Sequence, residues 1–217
     1  MKHKTARTFT TLLLMAGIAL AVERVQPLER HYQAARAALV KGDPTKAKRE
    51  LKLSLQDNPL NSEAHFLLAS LLAREGDLDQ AAVGFQETVK LEPNNAVARY
   101  NLGTVMLARG EPVLAARQFE NALWVCPDHV PTYNNLAKAY FLTGLPELSV
   151  ASYNAALRLD PSNAIARKGL AVLTAAAGAQ NRPGGYDPEP KPLITNAPPA
   201  AAVGKDKPPV PAAVPAL

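Results

Sequence analysis

Residues 62–95 read SEAHFLLASLLAREGDLDQAAVGFQETVKLEPNN, with one turn signal in the middle of the stretch and another near its end. Gly76 is the first signal, because glycine adopts the positive φ of a chain reversal after a helix at little cost. Pro93 is the second, because proline cannot continue a helix. The stretch therefore predicts two helices joined by a turn, the first of them over Glu63 to Glu75.

Both signals recur with a period of 34 residues. The glycines are Gly42, Gly76, Gly110 and Gly144, and the prolines are Pro59, Pro93, Pro127 and Pro161. A single helix pair of this size cannot bury its apolar faces alone, so neighbouring pairs must stack. We therefore expect an all-α solenoid of four units. Their predicted limits are 28–61, 62–95, 96–129 and 130–163.

The residues at the helix ends support this assignment independently. Asp77 follows Gly76, and its carboxylate can accept hydrogen bonds from the first amides of the next helix. In the other three units a proline opens the second helix, at Pro44, Pro112 and Pro146. Proline suits the first helical position because its missing N–H would have no partner there.

Other residues also keep the 34-residue phase. They are Leu68, Ala69, Ala81 and Phe85 in unit two, Leu102, Gly103, Ala115, Phe119 and Ala122 in unit three, and Tyr133, Leu136, Ala137, Tyr140, Tyr153 and Ala156 in unit four. This set resembles the tetratricopeptide-repeat family, which implies a right-handed superhelix over residues 28–163. The resemblance also implies that the small residue at Gly103 lets the helices of a pair approach, while the ring of Phe119 fills the space between pairs. Unit one departs most, with alanines in place of larger groups.

The family resemblance implies a concave groove lined by one face of the first helices. The candidate groove residues are Tyr32, Arg36, Phe66, Tyr100, Asn101, Thr104, Asn134, Lys138, Phe141 and Lys168. They make the groove aromatic at first and more polar and cationic toward its C-terminal end. Such a surface suits an extended segment or a helix of a partner protein. Chaperone-binding relatives clamp a C-terminal carboxylate with lysine and asparagine where this chain has Tyr32 and Arg36, so that partner class is not expected.

No motif for catalysis, phosphate binding or metal binding is present, so we predict neither enzyme activity nor a cofactor. His31 and His65 occupy the same repeat position and could form a metal pair, but no third ligand repeats beside them, and histidines packed between helices are the favoured interpretation. Cys126 is the single cysteine. It is interpreted as a helix-end residue, with a disulfide between chains as the alternative.

The N-terminus resembles an export signal. A charged head, Met1 to Arg7, precedes an apolar run from Phe9 to Val22, and Ala19-Leu20-Ala21 offers a cleavage site. At ~1.5 Å per residue the run is about 21 Å long, short of the ~30 Å hydrocarbon layer of a membrane. We therefore predict a cleaved signal over residues 1–21 and a periplasmic or secreted protein. A retained inner-membrane anchor, with the repeats facing the periplasm, is the alternative.

The C-terminal part changes character after Asn163. A fifth first-helix pattern covers residues 164–178 without a partner helix, as in helices that cap a repeat stack. Residues 179–217 contain ten prolines and few large side chains. Such a composition cannot bury enough apolar area to offset the entropy cost of ordering. We therefore expect a disordered tail.

The charge distribution argues against nucleic acid as a partner. Lys2, Lys4 and Arg7 supply three of the five net positive charges, which leaves only +2 for the remainder. The favoured function is thus a non-catalytic scaffold of the bacterial cell envelope that binds a protein partner, in pilus or secretion-system assembly by analogy with exported relatives. The alternative is a regulatory or docking subunit of an envelope enzyme of cell-wall or polysaccharide metabolism. Membrane contact is expected only through an uncleaved N-terminal segment.

Overall fold

The computed structural model describes residues 29–180, with side chains to residue 175, and all regular structure in that range is helical. The first helix, α1, covers residues 29–40. The others are α2 (Pro44–Asp57), α3 (Ser62–Glu75), α4 (Leu78–Leu91), α5 (Ala96–Ala108), α6 (Pro112–Val125), α7 (Val130–Leu142), α8 (Pro146–Leu159) and α9 (Ala164–Gln180). The predicted all-α fold is confirmed. The predicted signal and residues 181–217 of the predicted tail lie outside the described residues.

The four periodic glycines adopt the backbone that the sequence predicted. Their φ angles are 71°, 84°, 78° and 75° in chain order, and no other described residue has a positive φ. At Gly76 the glycine N–H donates to Ala73 O, and the next N–H, of Asp77, donates back to Leu72 O. These bonds satisfy carbonyls that the end of α3 would otherwise leave unpaired. The glycine spacing therefore fixes where each first helix ends.

Side chains also cap the helix starts. Asp43 and Asp77 accept hydrogen bonds from backbone N–H groups of the second helices α2 and α4, as predicted for Asp77. The first helices α3, α5 and α9 are capped by asparagines 34 or 68 residues apart, namely Asn61, Asn95 and Asn163. These asparagine caps were not predicted. They hold each new repeat at the end of the preceding proline turn.

Every consecutive pair of helices from α2 to α8 packs together, and α5 also contacts α7. The stack lies in a compact unit that ends at Leu173; of a second unit beginning at Thr174, the structure describes only the end of α9. None of the described helices is both long and apolar enough to cross a membrane.

The buried residues among those described form three clusters. The central cluster spans α3 to α7 around the rings of Phe85 and Phe119. The N-terminal cluster joins α1, α2 and α3 around Tyr32 and Leu51. The C-terminal cluster joins α7, α8 and α9 around Tyr153. Phe119 lies against Gly103 of its own helix pair, and its cluster also contains Leu136 and Ala139 of the next pair. The absence of a side chain at position 103 creates the space for this ring.

Helix α9 covers the last helix pair. Ala166 and Leu173 are buried in the same cluster as Tyr153 and Ala156 of α8. Its other side remains exposed, with Ile165 at 64% and Val172 at 53% of their full accessibility. Up to Leu173, α9 therefore acts as the capping helix that the sequence predicted. Its helical backbone runs to Gln180, two residues beyond the predicted boundary.

Candidate binding groove

The first helices of successive repeats lie side by side, and side-chain bonds connect them. The Tyr32 hydroxyl of α1 donates to Glu63 Oε2 of α3 over 2.6 Å. Asn135 Nδ2 of α7 donates to the Tyr100 hydroxyl of α5 over 3.3 Å. Glu63 lies about one helical turn before Phe66, the repeat equivalent of Tyr32, and Asn135 follows Asn134, the repeat equivalent of Tyr100. The candidate residues therefore lie on the sides of the first helices that face one another. We call this face of α1, α3, α5, α7 and α9 the groove.

A pocket of about 420 Å³ lies at the N-terminal end of the groove. It is lined by Glu29, Tyr32, Gln33, Arg36, Asn58, Leu60, Asn61, Ser62, Glu63 and Glu92. The guanidinium carbon of Arg36 lies 5.9 Å from the centre of the Tyr32 ring, within the range of a cation–π contact. Arg36 itself is exposed. The predicted residues Tyr32 and Arg36 thus meet in a polar pocket.

Tyr32 is less available to a partner than the sequence suggested, because it is only 8% exposed and belongs to the N-terminal core cluster. Burial, followed by the hydrogen bond to Glu63, raises the pKa of its hydroxyl well above the usual value. The hydroxyl therefore stays protonated and keeps donating to Glu63. The interpretation of Tyr32 as an open aromatic contact is corrected to a core residue whose hydroxyl fixes a carboxylate in the pocket.

The aromatic residues in the middle of the groove serve both the core and the surface. The ring of Phe66 packs edge-on against Phe85, with 5.6 Å between centroids. Tyr100 contacts Phe119 at 6.0 Å and the ring of His129 at 5.1 Å. Phe66 and Tyr100 are both half-buried. Each ring therefore has one side in the core and part of its surface in the groove.

The C-terminal half of the groove is more polar. Lys138 and Lys168 are exposed, and Phe141 is 46% exposed. Asn134, in contrast, is only 6% exposed; its Nδ2 donates to Asn163 Oδ1 over 3.3 Å, while its own Oδ1 has no hydrogen-bond partner among the described residues. Asn134 was predicted as a groove contact, but its burial makes it a link between α7 and the cap of α9.

Sequence reasoning missed Asn135. This half-buried side chain donates to Tyr100 and also approaches Thr104 Oγ1 at 3.4 Å. Asn101, a predicted groove residue, occupies the same position one repeat earlier and is half-buried too. The recurrence of asparagine after 34 residues was the available signal. Together with exposed Thr104, these amides provide both donors and acceptors at the centre of the groove.

The other singled-out residues have local partners. His31 Nδ1 lies 2.7 Å from Glu50 Oε2, whereas His65 Nε2 lies 2.9 Å from the carbonyl oxygen of Pro59. The two histidines therefore do not share a site. Within residues 29–180, no group of three or more His, Cys, Asp or Glu side chains is arranged to hold a metal ion. Cys126 is the partly exposed C-cap of α6, consistent with its interpretation as a helix-end residue.

The stacked pairs and their shared face define a helical-repeat protein. Three family models, each described as tetratricopeptide repeat, match residues 32–88, 96–121 and 130–163, and together cover more than half of the chain. The chain belongs to the tetratricopeptide-repeat family. A comparison with curated proteins gives no significant match.

Several solved structures share the fold. MamA from Desulfovibrio magneticus RS-1 is 22% identical, with a TM-score of 0.60 over 71% of this chain and 97% of that one. YrrB, described as a TPR protein with an unusual peptide-binding site, is 20% identical, with a TM-score of 0.61 over 71% and 89%. The first TPR of Spaghetti (RPAP3), bound to the HSP90 peptide SRMEEVD, is 18% identical, with a TM-score of 0.53 over 54% and 93%.

Proposed function

We propose that this protein is a non-catalytic scaffold that holds a segment of a partner protein in the groove. The observation that carries the proposal is the arrangement of Asn135, Tyr100 and Thr104, where an amide and two hydroxyls meet beside a half-buried ring. An extended segment presents one N–H and one C=O per residue, and such side chains can pair with both. The ring offers apolar contact to the segment's side chains.

Two of the similar structures support this proposal by what their names state. YrrB has a peptide-binding site, and the RPAP3 repeat was solved with a peptide bound. This chain shares their fold at about 20% identity, so the likeness is one of fold rather than of matching residues. We therefore assign a protein segment as the partner. Its sequence preference has to be inferred from the residues of this groove.

We further propose that the scaffold works in the bacterial cell envelope, in the assembly of a pilus or secretion system. The support is the N-terminal pattern of a charged head, a short apolar run and Ala19-Leu20-Ala21. The second candidate function is that of a regulatory or docking subunit of an envelope enzyme. Co-purification from the native host separates the two, because it recovers either assembly components or an enzyme activity.

Site-specific crosslinking in intact cells tests the groove as the binding surface. A photo-crosslinking amino acid at Thr104, which is exposed in the groove, should capture the partner. The matched control is Arg117, which is also exposed but lies on the second helix α6. Capture from position 104 alone supports the proposal. Capture from position 117 alone places binding on the other side of the stack and contradicts it.

The captured partner then permits a quantitative test. Phe141→Ala removes an exposed ring and should weaken binding about 5- to 150-fold, the range for loss of an aromatic contact worth ~1–3 kcal/mol. Helical content should not change. Phe119→Ala is the contrasting variant, because it removes a fully buried ring and should unfold part of the array. If Phe141→Ala binds like the wild type, the C-terminal half of the groove makes no important contact.

A further inference from the structure

The groove carries opposite charges at its two ends. We propose that it selects a partner segment with a basic side chain at one end and an acidic side chain at the other. The basic side chain enters the 420 Å³ pocket, and the acidic side chain lies beside Lys138 and Lys168. This inference rests on the proposed function, since it names the chemistry of the segment that the groove would hold.

The acidic residues and the lysines of the first helices separate completely, whereas arginines occur along the whole array, namely Arg30 and Arg36 in α1, Arg74 in α3, Arg99 in α5 and Arg167 in α9. Within residues 29–180, every acidic residue of a first helix lies in α1 or α3, namely Glu29, Glu63 and Glu75. Every lysine of a described first helix lies in α7 or α9, namely Lys138 and Lys168. Helix α5, between these groups, contributes the neutral Asn101 and Thr104. A bound segment therefore meets first the pocket, where three carboxylates outnumber the guanidinium of Arg36, and last the ammonium groups of Lys138 and Lys168.

The pocket is suited to a cationic side chain. Three carboxylates line it, from Glu29, Glu63 and Glu92, against one guanidinium from Arg36. Its volume lies within the ~300–1,000 Å³ of pockets that hold small ligands, so it has room for a lysine or arginine side chain. Arg36 lies near the Tyr32 ring and makes no ion pair with the pocket carboxylates.

The pocket carboxylates are oriented but keep capacity to bind a cation. Glu63 accepts from the Tyr32 hydroxyl, and Glu92 accepts from the Ser62 hydroxyl and from Asn95 Nδ2. A carboxylate offers about four lone-pair sites, so each can accept a further bond from an ammonium or guanidinium group. The neutral donors thus hold the carboxylates in place without neutralising them.

The charges at both ends are unpaired within the described part of the chain. None of Glu29, Glu63, Glu92, Lys138 and Lys168 takes part in an ion pair there, although other residues form six. A segment bound with its basic side chain at the pocket and its acidic side chain at the lysines forms a favourable pair at each end. A segment bound in the reverse direction is repelled at both ends. The groove therefore specifies direction as well as composition.

Selection from a phage-displayed library of random dodecapeptides on the purified full chain, at low salt, tests this inference. Twelve extended residues span about 40 Å, and four steps between neighbouring helices of about 8–10 Å each cover a similar distance. Enriched peptides should carry lysine or arginine near one end and aspartate or glutamate near the other. Raising the salt concentration should weaken their binding.

Paired charge-neutralising variants assign each preference to its end. Glu29→Gln with Glu63→Gln should remove the preference for a basic residue and weaken a selected peptide about tenfold, while glutamine still accepts from Tyr32. Lys138→Gln with Lys168→Gln should remove only the acidic preference. Circular dichroism checks that all variants stay folded. Loss of both preferences in either variant would contradict the assignment of separate ends.

The remaining outcomes separate this inference from the scaffold proposal. One outcome is that the selected peptides show no charge asymmetry, while Asn135→Ala still weakens their binding. That result would contradict the charge selection but support the scaffold proposal. If no enriched peptide depends on Thr104 or Asn135, both proposals fall.

Discussion

Gly103 of α5 lies so close to the ring of Phe119 that a β-carbon at position 103 would come within 2.7 Å of Phe119 Cε1. The ring is fully buried and cannot move aside without disturbing the central cluster. Gly103→Ala should therefore lower the free energy of unfolding by about 1–2 kcal/mol. Overpacking costs about 1–3 kcal/mol, and the better helix propensity of alanine offsets at most about 1 kcal/mol of it. Urea unfolding followed by circular dichroism measures the change.

A second variant isolates the steric cause. In a Phe119→Leu background the smaller side chain leaves room for a methyl group, so Gly103→Ala should cost clearly less than in the wild type. An equal cost in both backgrounds would show that the ring is not responsible.

Ser54 of α2 is fully buried, and its Oγ has no hydrogen-bond partner within the described residues. Ser54→Ala removes this unsatisfied hydroxyl and should stabilise the protein by about 0.5–1.5 kcal/mol in a thermal or urea melt. Thr88 is the matched control at the same repeat position, where Oγ1 donates to Gly84 O over 2.9 Å. Thr88→Ala should instead destabilise the protein. Equal effects of the two substitutions would show that the missing partner has no energetic consequence.

His129 makes the stability of the fold dependent on pH. Its ring lies against Tyr100, and its Nδ1 is 2.6 Å from Thr132 Oγ1. Burial lowers the pKa of this histidine below its usual 6.5. The unfolded chain therefore binds a proton at a pH where the folded chain does not, and stability falls as the pH drops below about 6.5 toward the lowered value.

Melting temperatures at pH 7.5 and pH 5.0 test this effect in the wild type and in His129→Asn. Asparagine caps α3, α5 and α9 at the same repeat position, so the variant should fold. The variant should lose less stability on acidification than the wild type. An identical loss would place the titrating group elsewhere. Glu50 and Asp160 also have lowered pKa values, but their protonation affects stability only at lower pH.

Removal of α9 should expose the C-terminal core cluster. A chain that ends at Asn163 loses the contacts of Ala166 and Leu173 with Tyr153, and its melting temperature should fall by about 5 °C or more. A chain that ends at Gln180 keeps these contacts and should melt like the full protein. If both truncations melt alike, α9 adds no stability to the stack.

The export prediction is tested by the mass of the protein from its native host. Cleavage after Ala19-Leu20-Ala21 should give a chain that begins at Val22. Recovery of the full-length chain from membranes washed with high salt would contradict cleavage and support the anchor.

The helix pairs could be predicted because their ends depend on local backbone chemistry. Gly76 needs only its own positive φ, and Pro44 only its missing N–H, so neither requires knowledge of distant contacts. The same reasoning could have identified Asn61 as a cap, because asparagine accepts from the first amides of a helix as aspartate does. Asp77 was predicted as a cap because it directly follows the turn glycine Gly76.

The groove was only partly predictable, because its exposure depends on residues of the next repeat. Tyr32 and Phe66 occupy equivalent positions, yet Glu63 binds the hydroxyl of Tyr32 and the surrounding core buries its ring, while Phe66 remains half-exposed. Asn134 is likewise buried through its bond to Asn163. Periodicity assigns a residue to a helix face, but contacts between repeats decide how much of that residue a partner can reach.

The three core clusters imply that the array does not melt as one cooperative block. Each repeat is stabilised chiefly by its neighbours, so the ends of such a stack open more readily than its centre. The central cluster contains both fully buried phenylalanine rings, whereas the N-terminal cluster consists largely of alanines and leucines with one tyrosine. Partial opening of α1 and α2 would release the pocket carboxylate Glu63 from Tyr32 while the middle of the groove stayed folded. The amides of α1 and α2 should therefore exchange with solvent faster than those of α5 and α6. Fraying at this end of the stack would then control how often Glu63 is free of its bond to Tyr32.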